Sequence, residues 1–389
     1  MKKLSLFILA ITISFAIFAQ DGYKFTDEIR LGTTSVKDQY ASGTCWSFST
    51  LSFYESEMER VGVENVPDLS EMFIVRQCYA DKAEKYVRLH GELNFGGGGA
   101  FVDIPYVHRK YGLVPEEAFN GLNYGTKGHV HGELDAVLKA YVDAVIENKN
   151  RKLSTAWLAG FNGILDAYLG EYPETFTYEG KEYTPRTFAD EVTKLNPDDY
   201  ISVTSFSHHP FYSSFAIEVP DNWLWGQSYN LPLDEFIQVF DYALDNGYTI
   251  AWGADVSEEY FSHSAGVAIV PDINIAEMTD TERGKWESQS KKERYNLDKP
   301  GKEKVVTQEM RQEHYDNYKT TDDHGLHIVG RAKDQAGTKY YIVKNSWNTD
   351  NPYDGYVYVS EEFVKYKTMN IMIHKDAVPK KIAKKLGLK

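Results

Sequence analysis

The stretch Gln39-Tyr40-Ala41-Ser42-Gly43-Thr44-Cys45-Trp46-Ser47-Phe48 decides how this chain reads. Small residues lead into a cysteine, and Phe48, Leu51 and Met58 then recur at helical spacing. Cys45 is therefore expected at a helix N-terminus. Unpaired backbone N–H groups and the helix dipole favour a thiolate there, which is one way a protein makes a nucleophile near neutral pH. Far downstream, Asp323-His324-Gly325 and Lys344-Asn345-Ser346-Trp347 offer a base and a group to orient it.

The rest of the chain bounds what this segment can do. A length of 389 residues at 42% hydrophobic supports one large domain or two to three smaller ones. The 28 Tyr and 20 Phe argue against disorder. A net charge of −15 argues against general nucleic-acid binding. Lys2 and Lys3 followed by apolar residues 4–18 read as a secretory signal, with cleavage after Ala19 exposing Gln20. The other reading is a membrane anchor, but the run is short of the roughly 20 residues a span needs. Export places the chain in the periplasm or outside the cell. The two cysteines, Cys45 and Cys78, can pair in an oxidising compartment. A nucleophilic Cys45 must stay free, and Cys78, in a helical pattern, then reads as a buried thiol.

Composition and periodicity divide the chain into a signal at 1–19, a helical half carrying the nucleophile at 20–119, and a mainly helical insertion at 120–255. A β-rich half with the histidine and asparagine follows at 256–375, and a basic tail at 376–389. Ser70 or Asp68 caps a helix, and Gly112 ends another that follows the four-glycine turn at 96–99. Residues 276–320 are charge-rich and read as a solvated loop plus a helix near 308–319.

Gln39 with Gly43-Thr44-Cys45-Trp46, then Asp323-His324-Gly325-Leu326, then Asn345-Ser346-Trp347, resemble the three signature segments of papain-type cysteine peptidases. In ordinary members the histidine and asparagine follow the cysteine by about 130–150 residues. Here they follow by 279 and 300. A papain-like core with so large an insertion resembles the bleomycin hydrolase and aminopeptidase C family. Tyr172-Pro173-Glu174-Thr175-Phe176-Thr177-Tyr178, Ala251-Trp252-Gly253-Ala254-Asp255-Val256 and His374-Lys375-Asp376-Ala377-Val378-Pro379 are similar to that family too. Asn348 departs from it, standing where the family usually has Gly.

The resemblance implies an α+β, papain-like fold: a helical half plus a β-barrel-like half with a large, mainly helical insertion. It implies peptide substrates, no cofactor and a hexameric homo-oligomer. Cys45 would attack the scissile carbonyl, His324 would hold and return its proton, and Asn345 would orient the ring. Gln39 would complete the oxyanion hole with the Cys45 N–H. Trp347 would shield the His–Asn bond from water, and Gly98 and Gly99 would lie beside the substrate backbone. In that family a C-terminal arm enters the cleft and its carboxylate receives the substrate's amino terminus. The basic ending from Lys380 to Lys389 sets an aminopeptidase against an endopeptidase with an open cleft. A non-catalytic scaffold and an acyl-transfer enzyme are the remaining alternatives.

Other histidines are expected to be structural. His327 would point to the opposite strand face from His324. His129 and His131 lack a third metal ligand at sensible spacing and read as a solvated loop, as do His208 and His209. No metal site is expected.

Overall fold

The structure, a computed structural model, describes residues 22–295 and 297–388. The expected signal segment and Lys389 lie outside them. Strand β1 (Thr26–Arg30) leads to helix α1 (Cys45–Arg60), which begins on Cys45 as the sequence indicates. Nearly all of α1 is buried, so it is a central helix and not an amphipathic surface one. Its polar residues find partners across the molecule. Lys344 Nζ donates to Ser52 Oγ at 2.7 Å, and Lys37 Nζ reaches Glu71 Oε1 at 2.7 Å and Glu55 Oε1 at 3.4 Å. This satisfied polar seam joins the two halves.

Helix α2 (Glu71–Arg88) starts after Ser70, whose Oγ accepts from the Phe73 N–H at 3.0 Å. Helix α3 (Asp103–Tyr111) stops at Gly112, where φ is 93°, a conformation that favours glycine. Helices α4 (Gly132–Ile146) and α5 (Trp157–Leu169) pack on α2 through Leu134, Leu138, Phe161 and Leu165. A hairpin of β2 (Phe176–Tyr178) and β3 (Lys181–Tyr183) and the short helix α6 (Pro185–Phe188) follow.

The segment 120–255 is then only partly the helical insertion expected. It continues as β4 (Tyr200–Thr204), β5 (Ser214–Ala216) and β6 (Gln227–Asn230), then α7 (Leu233–Asp245) and β7 (Ile250–Ala254). β4, β5 and β6 are only three to five residues long, too short for an alternating pattern to mark them, whereas β7 reads as a buried strand from its apolar run. The chain continues through β8 (Phe261–Ser262), β9 (Val267–Ala268), α8 (Asp280–Glu287), α9 (Lys291–Arg294) and α10 (Gln308–Asp316). It ends with β10 (His324–Lys333), β11 (Lys339–Lys344), β12 (Tyr356–Ser360), α11 (Glu361–Lys367), β13 (Thr368–His374) and α12 (Lys380–Leu386).

One sheet runs in the order β5-β6-β4-β13-β7-β10-β11-β12-β9-β8, with β1 also on β10. β7 sits between β13 and β10, so a boundary at residue 255 cuts through this sheet. One core lies among α1 to α5, and a second packs α7, α11 and α12 on the sheet. α12 buries Ile382 and Leu386 in that second core, and Lys385 pairs with Glu235 at 2.5 Å. The described part of the C-terminal arm is thus a docked helix, set by its apolar face.

Candidate active site

A cleft of about 350 Å³ opens between the two halves and is lined by Gln39, Cys45, Gly98, Gly99, His324 and Trp347. Cys45 is the first residue of α1 and His324 the first of β10. Gly325 lets these two elements meet. A Cβ there would stand 2.6 Å from Ser49 Oγ and 3.2 Å from the Cys45 carbonyl oxygen. The Gly325 N–H also reaches the Cys45 sulfur.

Asn345 sits at the end of β11 and is buried. Its Oδ1 accepts from the Ser346 N–H at 2.8 Å and lies 2.8 Å from His324 Nε2. An acceptor there places the ring proton on Nε2 and leaves Nδ1 as the basic nitrogen. Trp347 stacks on the His324 ring, with centroids 4.4 Å apart and planes 26° from parallel. Gln39 Oε1 accepts from Ser346 Oγ at 2.7 Å, and its Nε2 donates one hydrogen to the Ser42 carbonyl at 2.9 Å. Among the described residues the second Nε2 hydrogen has no hydrogen-bond partner. Gln39, His324, Asn345 and Trp347 therefore form one connected unit beside Cys45.

Burial works against the charged forms of both reactive side chains. Burial pushes the Cys45 thiol up to about 12, and the Asp322 and Asp221 carboxylates add to the shift. The Gly325 and Trp46 N–H groups oppose it but do not win. Burial likewise drives the His324 imidazole down to about 4, against the Asn345 bond that favours its charged form. For each group taken singly, desolvation opposes the charge that the helix N-terminus and the Asn345 bond favour. Moving the proton from Sγ to the ring creates both charges together, and each then offsets the desolvation of the other.

Gly98 and Gly99 line the cleft as expected. A Cβ on Gly99 would stand 2.7 Å from the Trp46 ring, and one on Gly98 would meet the Asp221 carboxylate. Trp46 Nε1 donates to the Gly97 carbonyl at 3.0 Å, which ties this strip to α1. His327 is a packed histidine beneath α1, 3.0 Å from Ser52 Oγ and edge-on to Phe53. Cys78 is a buried free thiol, and Cys45 is unpaired. Asn348 has φ 67°, a left-handed conformation that asparagine tolerates in place of glycine.

One histidine expectation needs correction. His129 and His131 are buried, not solvated, because Val130 bridges Ala41 and the His129 ring packs edge-on against Phe48. His208 and His209 lie in an exposed turn, in keeping with the reading, and bind Glu218 at 3.1 and 2.7 Å. Among the described residues, these three form the one group whose donor atoms are close enough to hold a metal ion. It lies outside the cleft lining.

His263 is a member of the site that sequence reasoning missed. Its Nδ1 lies 3.2 Å from Asn345 Nδ2, so it holds the amide with Oδ1 towards His324. It arrives from the turn after β8, and no local motif marks it. Asp221 and Asp322 were missed for the same reason.

A cysteine leading a buried helix, opposite a histidine oriented by an asparagine under a tryptophan, defines the papain-like class of cysteine peptidases. The chain belongs to the Peptidase C1-like family, whose model matches residues 74–388. It is 22% identical to aminopeptidase G of Lactobacillus delbrueckii subsp. lactis over 90% of this chain and 83% of that protein. It is also 22% identical to bleomycin hydrolase of Mus musculus, over 89% of this chain and 81% of the relative. The crystal structure of PepW from Lactobacillus rhamnosis HN001 superposes with a TM-score of 0.70 at 19% identity, covering 93% of this chain and 84% of that one. The fold is papain-like and α+β, and the chain is a cysteine-type peptidase.

Proposed function

We propose that this chain is an exported thiol aminopeptidase acting through Cys45, His324 and Asn345. His324 Nδ1 takes the Cys45 proton as the sulfur attacks the substrate carbonyl, forming the C–S bond. The carbonyl oxygen becomes an oxyanion, which the free Gln39 Nε2 hydrogen and the Cys45 N–H stabilise. Collapse breaks the C–N bond, and His324 gives its proton to the leaving amine. Water then attacks the thioester with His324 as base, which releases the acid and restores the thiol. Asn345 and Trp347 are positioning residues: one fixes the ring, the other keeps water from their bond. Export rests on Lys2, Lys3 and the apolar run at 4–18.

The observation that carries this reading is the His324–Asn345 bond at 2.8 Å beneath Trp347, in the cleft that holds Cys45 and Gln39. The test is hydrolysis of free-amine peptides by the wild type and by Cys45→Ala. Loss of at least a thousandfold in kcat/KM with retained folding supports it, and comparable rates in both sink it. An endopeptidase is the second reading, favoured by one observation: α12 lines none of the cleft.

A further inference from the structure

The cleft carries a charge that the chemistry above does not use. Asp221 stands on its wall, in the loop between β5 and β6, with its carboxylate over Gly98. A Cβ on Gly98 would lie 2.1 Å from Asp221 Oδ2, so the carboxylate fills the space where a side chain would stand. Oδ1 accepts from Asn94 Nδ2 at 2.8 Å, whereas Oδ2 has no hydrogen-bond partner among the described residues. Asp221 also has no ion pair there. The nearest compensation is Lys82, buried beneath the strip with its ammonium on the Gly96 and Gly98 carbonyls. No lysine or arginine lines the cleft among the described residues.

The loop that presents this carboxylate is rigid. Asn222 is buried and cross-links it, donating to the Ile217 and Gly226 carbonyls at 3.1 Å each and accepting from the Gly226 N–H at 2.7 Å. Trp223 is buried too, and its Nε1 donates to Asp103 Oδ2 at 2.7 Å. Asp221 is therefore held in place before any ligand arrives, as a specific polar contact requires.

The direction of the substrate follows from the proposed chemistry. The leaving amine must receive its proton from His324, so it lies on the His324 and Trp347 side. The acyl portion then runs the other way, along Gly98 and Gly99. A substrate's upstream end meets Asp221 there, as both a steric stop and a carboxylate whose Oδ2 is open to a donor. We propose that Asp221 is the dock for a positively charged nitrogen at the upstream end of the substrate, and so sets the preference for free amino termini. This inference rests on the peptidase reading above and names its specificity residue. The same chemistry can be met by a basic side chain one residue upstream in a blocked peptide, and substrates distinguish the two.

The test measures kcat/KM for wild type, Asp221→Asn and Asp221→Glu on four matched fluorogenic substrates: leucyl, acetyl-leucyl, acetyl-leucyl-leucyl and acetyl-arginyl-leucyl. Wild type should favour leucyl over acetyl-leucyl by at least tenfold. Asp221→Asn should bring that ratio close to one, and Asp221→Glu should retain part of it. If the Asp221-dependent ratio is instead acetyl-arginyl-leucyl over acetyl-leucyl-leucyl, the dock stands and the side chain is its ligand. Ratios that Asp221→Asn leaves unchanged within twofold would overturn the dock. A wild-type measurement needs no variant: leucinamide should inhibit at least tenfold more tightly than acetyl-leucinamide, and equal inhibition counts against it. Iodoacetamide modification of Cys45, with hydrolysis of any of the four substrates by wild type, shows that the peptidase reading survives even where the dock fails.

Discussion

Asn345→Ala tests the least exposed part of the site. The substitution removes the acceptor 2.8 Å from His324 Nε2 and the donor 3.2 Å from His263 Nδ1. His324 is 5% exposed and lies under Trp347, so water does not readily replace the lost partner. While the ring is neutral, such a bond is worth about 0.5–1.5 kcal/mol. Once the ring carries the thiol's proton, the same bond is charge-assisted and worth about 1.5–3 kcal/mol. The difference, about 1–2 kcal/mol, falls on the barrier and corresponds to roughly a five- to thirtyfold loss in kcat/KM. The loss should appear in kcat, since the bond tightens only as the ring becomes charged. A buried ring nitrogen left without a partner should also lower unfolding stability by about 1–3 kcal/mol in urea titration. Asn345→Asp keeps an acceptor and should recover part of the rate. A folded Asn345→Ala enzyme with kcat within twofold of wild type would refute this reasoning.

Three further outcomes are expected. Burial lifts the Asp322 carboxyl to about 7, so the native state holds a proton that the unfolded chain releases near pH 4. Stability from this group therefore falls as pH rises through that window, and Asp322→Asn should raise Tm at pH 8 with little change at pH 4. The same substitution removes a charge that raises the Cys45 thiol, so the acid limb of kcat/KM should move to lower pH. Ile382→Ala should destabilise by about 2–5 kcal/mol, read by urea titration, because it opens a cavity in the second core. It should leave the ratio of free-amine to blocked substrates unchanged, since α12 lines none of the cleft. Mass spectrometry of the exported protein should find an N-terminus at or near Gln20, and an intact Met1 would count against export.

The residues of the proposed catalytic unit were legible because each sits in a short local pattern. Gln39 and Cys45 share a helix entry, His324 follows an aspartate, and Asn345 precedes Ser-Trp. What the sequence hid are contacts across the chain. His263 touches Asn345 from 82 residues away, and Asp221 meets Asn94 from 127. β4 to β6 were hidden because each is only three to five residues long, and β4 also pairs with the distant β13. The helix N-terminus at Cys45 is visible in sequence, whereas the burial that opposes charge there depends on what later covers it. The burial of His129 and His131 was missed for that reason as well.

Active-site titration of the full-length mature protein tests the central claim most directly. An epoxide thiol-protease inhibitor is added in stoichiometric amount, and intact mass and peptide mapping follow. One adduct should form, on Cys45 and not on the buried Cys78, with loss of hydrolysis in proportion to labelling. His324→Ala should label at least tenfold more slowly, since the ring takes the thiol's proton. Hydrolysis that persists with Cys45 fully labelled, or labelling that does not depend on His324, would contradict the account.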